Sequence, residues 1–267
     1  MSATELQGTP PEAVDEGLEL VLPGRAARAG AGWDWVVQGW RLFTRAPLMW
    51  IVSIVALFVV AIVVSLVPIV GTLAFQLLQA VFTGGYVFAC RSLERGGDFE
   101  IEHLLAGFQR RFVSLLVVGV LLLVGWVAIF MVFAMFAGFS LFAAFASGDP
   151  DMALGALAAS AGTLMLGVLV MLALMAPLLA AYWFAPALVM MHDVPPVTAM
   201  KESFFACFRN FGAFLVYGLV MLGGAILATI PFGLGFLVWL PLAIASTYAA
   251  YRQIFTDDKP PSPPAVA

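Results

Sequence analysis

The chain has 267 residues, of which 63% are hydrophobic and only 10% charged; soluble domains carry roughly 45–50% apolar residues. A water-soluble fold of this length has too little interior to hide that surface, so lipid is the expected solvent for most of it. The net charge of −4 gathers at one end, because Glu5, Glu12, Asp15, Glu16 and Glu19 precede the first base.

Residues 1–30 are rich in Ala, Gly, Pro and Glu with little to bury, which predicts a disordered acidic cytoplasmic tail. They lack the positive start and apolar stretch of a cleaved signal peptide. A membrane domain is then expected over 31–256, and a second disordered tail over 257–267. Six apolar stretches predict spans at about Leu48–Val67, Thr72–Leu93, Phe112–Ala146, Gly162–Met191, Phe211–Ile230 and Phe236–Phe255. Each has the ~20 residues that a bilayer core of about 30 Å requires. The expected class is all-α integral membrane, with six transmembrane helices arranged as three hairpins.

A short amphipathic stretch precedes each hairpin. Trp33, Val36, Val37, Trp40 and Phe43 share one helical face; so do Ile101, Leu104, Leu105, Phe108 and Phe112, and so do Val197, Met200, Phe204, Phe208 and Phe211. These predict interfacial helices, with aromatics in the acyl boundary and bases on phosphate. The spacings Trp40-x2-Phe43-x3-Pro47, Leu105-x2-Phe108-x3-Phe112 and Phe205-x2-Phe208-x3-Gly212 suggest an internal repeat. The middle hairpin is too long for a bilayer, so either its helices protrude or 139–161 includes an interfacial segment; its acidic tip is a hairpin turn or a docking element.

All twelve Lys and Arg fall outside the three turns that close the hairpins. Basic residues concentrate in cytoplasmic loops, so both termini are expected inside. Arg41, Arg45, Arg91, Arg110, Arg111, Arg209 and Arg252 stand at span or amphipathic-helix ends and are candidates for contact with anionic lipid headgroups. Within the spans no ionisable residue lies near a centre, which argues against proton-coupled or charged-substrate transport. Gln76 and Gln79 are the costliest groups at depth; they read as helix glue or as the lining of a polar path. Pro177, Pro186 and Pro241 are expected to kink their helices. Cys90 and Cys207 give no expectation of a disulfide, and no spacing of Cys or His suggests a metal or other cofactor. His103, His192, Asp193 and Glu102 would serve a hydrolase only if they met in space. Nothing favours nucleic acid.

Gly39-Trp40 with Phe43, Pro47 and Trp50 resembles the opening motif of an uncharacterised six-span inner-membrane protein family of Gram-negative bacteria. So do Tyr182-Trp183-Phe184-Ala185-Pro186-Ala187-Leu188-Val189, Ala199-Met200-Lys201-Glu202-Ser203 with Cys207, Arg209 and Asn210, and Tyr248-x2-Tyr251-Arg252-x-Ile254-Phe255. The likeness covers about residues 33 to 256. A weaker one is to the membrane domain of some glycerophosphodiester phosphodiesterases; with no soluble catalytic domain here, no such activity is implied. The resemblance implies topology and no reaction. The expected function is a non-enzymatic multi-pass protein of the bacterial cytoplasmic membrane, organising lipid or binding a membrane-protein partner or a second copy of itself. The alternatives are a small-molecule or lipid transporter or channel, and, third, an interfacial lipid enzyme.

Overall fold

The computed structural model describes residues 19–146 and 150–257. It is all-helical: α1 (Ala31–Arg45), α2 (Pro47–Ser65), α3 (Val70–Glu94), a short 3-10 helix (Ile101–Leu105), α4 (Ala106–Arg110), α5 (Phe112–Ala146), α6 (Pro150–Trp183), α7 (Ala185–His192), α8 (Pro196–Arg209), α9 (Phe211–Thr229) and α10 (Phe236–Phe255). Among the described residues five helical stretches are long and apolar enough to cross a membrane: Pro47–Ser65, Val70–Glu94, Phe112–Gly138, Ala161–His192 and Phe211–Thr229. The sixth expected span, α10, is a helix of 20 residues but is not among them. Its second half holds Ser246, Thr247, Tyr248, Tyr251, Arg252 and Gln253. Of these Ser246, Tyr248 and Tyr251 are buried, and the helix packs on α1, α2, α3 and α9, so its polar half is matched by protein neighbours.

The chain enters α2, α5 and α9 in one way. Each follows a short helix that ends in arginine, at Arg45, Arg110 and Arg209, and a single non-helical residue, at Ala46, Arg111 and Asn210. That common junction supports the repeat suggested by the aromatic spacing. The amphipathic helices turn most of their large aromatics away from the protein. In α1 the buried residues are Ala31, Gly32, Trp35, Gly39, Leu42 and Phe43, while Trp33 and Trp40 are exposed. In α8 Ala199, Ser203, Ala206 and Cys207 are buried, and Val197, Phe205, Phe208 and the adjoining Phe211 are exposed. Small residues thus mark the protein side. A Cβ on Gly39 would lie 2.6 Å from the Ser246 backbone nitrogen, so glycine is what lets α1 press onto α10.

Helix α5 runs unbroken for 35 residues, about 52 Å, which exceeds a bilayer core. Of the two expectations for the middle hairpin, protruding helices fit this; the tip at 147–149 lies outside the described residues. Pro177 and Pro241 lie inside continuous helices. The break falls instead at Phe184, just before Pro186, where the Ser203 hydroxyl accepts from the Phe184 N–H at 2.9 Å and donates to the Ala180 carbonyl at 2.6 Å. A side chain of α8 thereby satisfies the backbone groups that the break releases.

Residues 19–30, expected as part of a disordered tail, are bound to the domain. Leu20 forms an isolated antiparallel bridge with Thr256, and Val21 N–H donates to the Phe255 carbonyl at 2.8 Å. Asn210, 2% exposed, accepts from Ala27 N–H at 2.5 Å and donates to the Arg25 carbonyl at 3.1 Å. The segment is held mainly by hydrogen bonds to its backbone, from the end of α10 and from the side chains of Asn210 and Arg209, so a composition rule does not detect it. Asp257, the first residue of the expected C-terminal tail, also donates its N–H to the Glu19 carbonyl at 3.1 Å. Residues 1–18 and 258–267 lie outside the described residues.

Candidate functional site

Four arginines gather where α1, α3 and α10 end together, and two of them hold one carboxylate. The close approach at Gly39 sets Gln38, Arg41 and Arg45 beside Tyr248 and Arg252, and α3 delivers Arg91 and Glu94 between them. Glu94 accepts from Arg91 Nη1 at 3.1 Å and from the Tyr248 hydroxyl at 2.8 Å, and its other oxygen pairs with Arg252. These side chains are largely withdrawn from solvent, at 7% exposure for Arg91, 12% for Arg252 and 18% for Glu94. Arg45 donates to the Leu93 carbonyl at 2.5 Å and the Glu94 carbonyl at 3.4 Å, which suits the negative end of the α3 dipole.

A cavity of about 130 Å³ opens here, lined by Gln38, Arg41, Arg45, Glu94, Tyr248 and Arg252. Beside it a groove of about 690 Å³ shares Arg45 and Glu94 and adds Arg95 and Asp98. With three guanidinium groups to one carboxylate in its lining, the inner cavity presents planar N–H donors to an anion. Of the seven candidate arginines, the structure brings Arg41, Arg45, Arg91 and Arg252 together. Arg110 instead lies 4.4 Å over the Phe88 ring, Arg111 pairs with Asp193 at 2.6 Å, and Arg209 donates to the carbonyls of Pro23 and Gly24. Arg209 therefore clamps the N-terminal segment. That Glu94, Tyr248 and Gln38 meet these arginines is not legible in the sequence, because 154 residues separate Glu94 from Tyr248 and no local pattern connects them.

The groups considered for hydrolysis have separate neighbours. His103 bonds the Glu100 N–H at 3.2 Å and packs on Phe88, Asp193 pairs with Arg111, and the His192 ring faces Tyr251 at 6.1 Å. Burial holds His103 below its usual range, against the pull of Glu100 and Glu102. Burial also pushes the Cys207 thiol up to about 12, leaving it protonated and a poor nucleophile. Among the described residues no three His, Cys, Asp or Glu side chains are placed to hold a metal ion.

Gln76 and Gln79 border a second cavity, of about 370 Å³, between α3, α5 and α6, with Leu122, Leu123, Trp126, Leu179 and Tyr182. Gln79 also borders a third, apolar cavity of about 410 Å³ between α2, α3 and α10.

A family model described as a protein of unknown function, DUF975, matches residues 40–258. The chain is also 33% identical over 256 residues to a probable inner membrane protein of Burkholderia thailandensis, covering 88% of this chain and 94% of that one. No solved structure matches. The likeness to the membrane domain of phosphodiesterases gains no support from these matches.

Proposed function

From the premise that the chain belongs to the DUF975 family and is a multi-pass membrane protein, we propose that it is a non-enzymatic protein of the inner membrane that holds anionic lipid headgroups at its cytoplasmic rim. In this reading α10 is the sixth span, α2–α3, α5–α6 and α9–α10 are three hairpins, and both termini face the cytoplasm. The observation that carries the proposal is an open cavity lined by Arg41, Arg45 and Arg252, with Glu94 at its wall as the carboxylate that Arg252 and Arg91 hold. Arg91 and Arg252 hold Glu94, and Arg41 and Arg45 line the cavity mouth, where a headgroup phosphate would replace water. Lipid held at this rim gives the protein a means of organising the leaflet or presenting a surface to a membrane partner or a second copy.

Native mass spectrometry of the protein released from phosphatidylglycerol-containing membranes tests this. Wild-type protein should retain anionic lipid, and Arg41→Gln with Arg45→Gln should weaken retention about thirtyfold, at about 1 kcal/mol per arginine. Equal retention by the double variant would overturn the assignment. The cavity at Gln76 and Gln79 favours a second reading, transport of an uncharged molecule. Uptake of such a molecule into proteoliposomes, lost on filling that cavity, would favour it.

A further inference from the structure

We propose that the cleft between α3, α5 and α6 binds an uncharged, hydroxyl-bearing lipid of the diacylglycerol class, seated within the bilayer. Gln79 stands about 14 Å along a helix about 36 Å long, inside the hydrocarbon depth. Among the described residues the side-chain amides of Gln76 and Gln79 make no hydrogen bond, whereas Thr83, one turn on, donates to the Gln79 carbonyl at 2.8 Å. Free amides at that depth are costly, because hydrocarbon offers them nothing. They are reasonable only where something polar arrives.

The lining defines that ligand's chemistry. No Asp, Glu, Lys, Arg or His borders the cleft, so its head is uncharged. Thr83 spends its proton on the Gln79 carbonyl, so at the 3.4 Å contact between hydroxyls Tyr182 is the donor and its oxygen remains an acceptor. The site thus offers N–H donors from two amides together with acceptors from the amide oxygens and Tyr182. A head with one hydroxyl and ester carbonyls answers both, whereas a head of carbonyls alone answers only the donors. Gln79 also borders the apolar cavity lined by Ile54, Phe58, Phe75, Phe82, Leu240 and Ile244, into which an acyl chain can run from a head held at Gln79.

The test is saturation binding of tritiated dioleoylglycerol to the full chain in phosphatidylcholine nanodiscs, where the rim arginines have no anionic lipid to hold. Wild type should bind about one equivalent. Gln76→Leu with Gln79→Leu should weaken binding at least about tenfold, from the loss of two hydrogen bonds, without lowering thermal stability, since the change removes free polar groups. Leu123→Trp, which fills the cleft, should have the same effect on binding; because these nanodiscs hold no anionic lipid, this site and the rim reading fail separately. Absence of saturable binding, or unaltered affinity in both cleft variants, overturns the proposal. Tighter binding of ubiquinone than of dioleoylglycerol overturns the assigned head chemistry.

Discussion

Two spans, α3 and the Ala161–His192 stretch of α6 and α7, serve opposite purposes with the same secondary structure. The apolar stretch of α3 is half buried in protein, whereas almost no residue between Ala161 and Trp183 is, and burial resumes only in α7. The buried span is also the least apolar of the five, and it carries Gln76, Gln79, Thr83, Arg91 and Glu94. Between Ala161 and Met191 there is no charged residue. A helix that faces lipid must be uniformly apolar, whereas one that faces other helices can hold polar groups that find partners. In this protein the weakest hydrophobic signal marks the structural centre.

The sharpest way to break this contrast is Glu94→Ala, which leaves Arg91 and Arg252 buried without their counter-charge. A loss of about 3–5 kcal/mol is expected in detergent-titration unfolding, and Arg252→Ala in the same chain should restore part of it. Next comes volume. A Cβ on Gly85 of α3 would lie 2.4 Å from the Leu104 carbonyl oxygen, while Gly162 of α6 has nothing within 4 Å. Gly85→Val should cost about 3 kcal/mol by overpacking, and Gly162→Val should leave the unfolding midpoint unchanged; equal effects would erase the distinction.

A smaller change is expected at Asn210, which ties the segment before α1 to the domain. Asn210→Ala orphans Ala27 N–H at a local cost of about 1–3 kcal/mol, read as faster limited proteolysis between residues 19 and 30. The smallest effect concerns the 3-10 helix that rests on α3. Burial lowers the pKa of folded His103 relative to the unfolded chain, so the unfolded state binds the proton more readily. The stability that neutral His103 contributes is therefore complete above its ordinary value near 6.5 and lost as pH falls through the folded value. Protection factors at residues 100–105, that is exchange relative to the unstructured rate at the same pH, should fall at pH 5.5 relative to pH 7.5, and His103→Gln should abolish that difference.

Much of the membrane character was legible because lipid imposes a long, uniform demand on sequence, as Pro47–Ser65 and Phe112–Gly138 show. Helix α10 was legible as a helix and not as a distinct environment, since its polar half is explained only by α1 and α3. In the amphipathic helices the stripe of Trp and Phe pointed to the lipid side and did not show which residues pack on protein. The small residues Gly39 and Ser203 define the packed side. The arginines themselves stood out in the sequence. Their convergence did not, because Glu94 joins partners from opposite ends of the chain through folding alone.

The pairing of Leu20 with Thr256 has a mechanical consequence. With the Arg25–Asp257 ion pair and the Asp257 N–H bond to Glu19, it forms a clasp that short-circuits the chain's two ends. A pull applied between residues 19 and 257 would load this clasp first and leave the helices slack until it parted. Tension on one terminus alone would instead pass through α1 or α10 into the arginine cluster, so the direction of tug would decide which part of the molecule gives way.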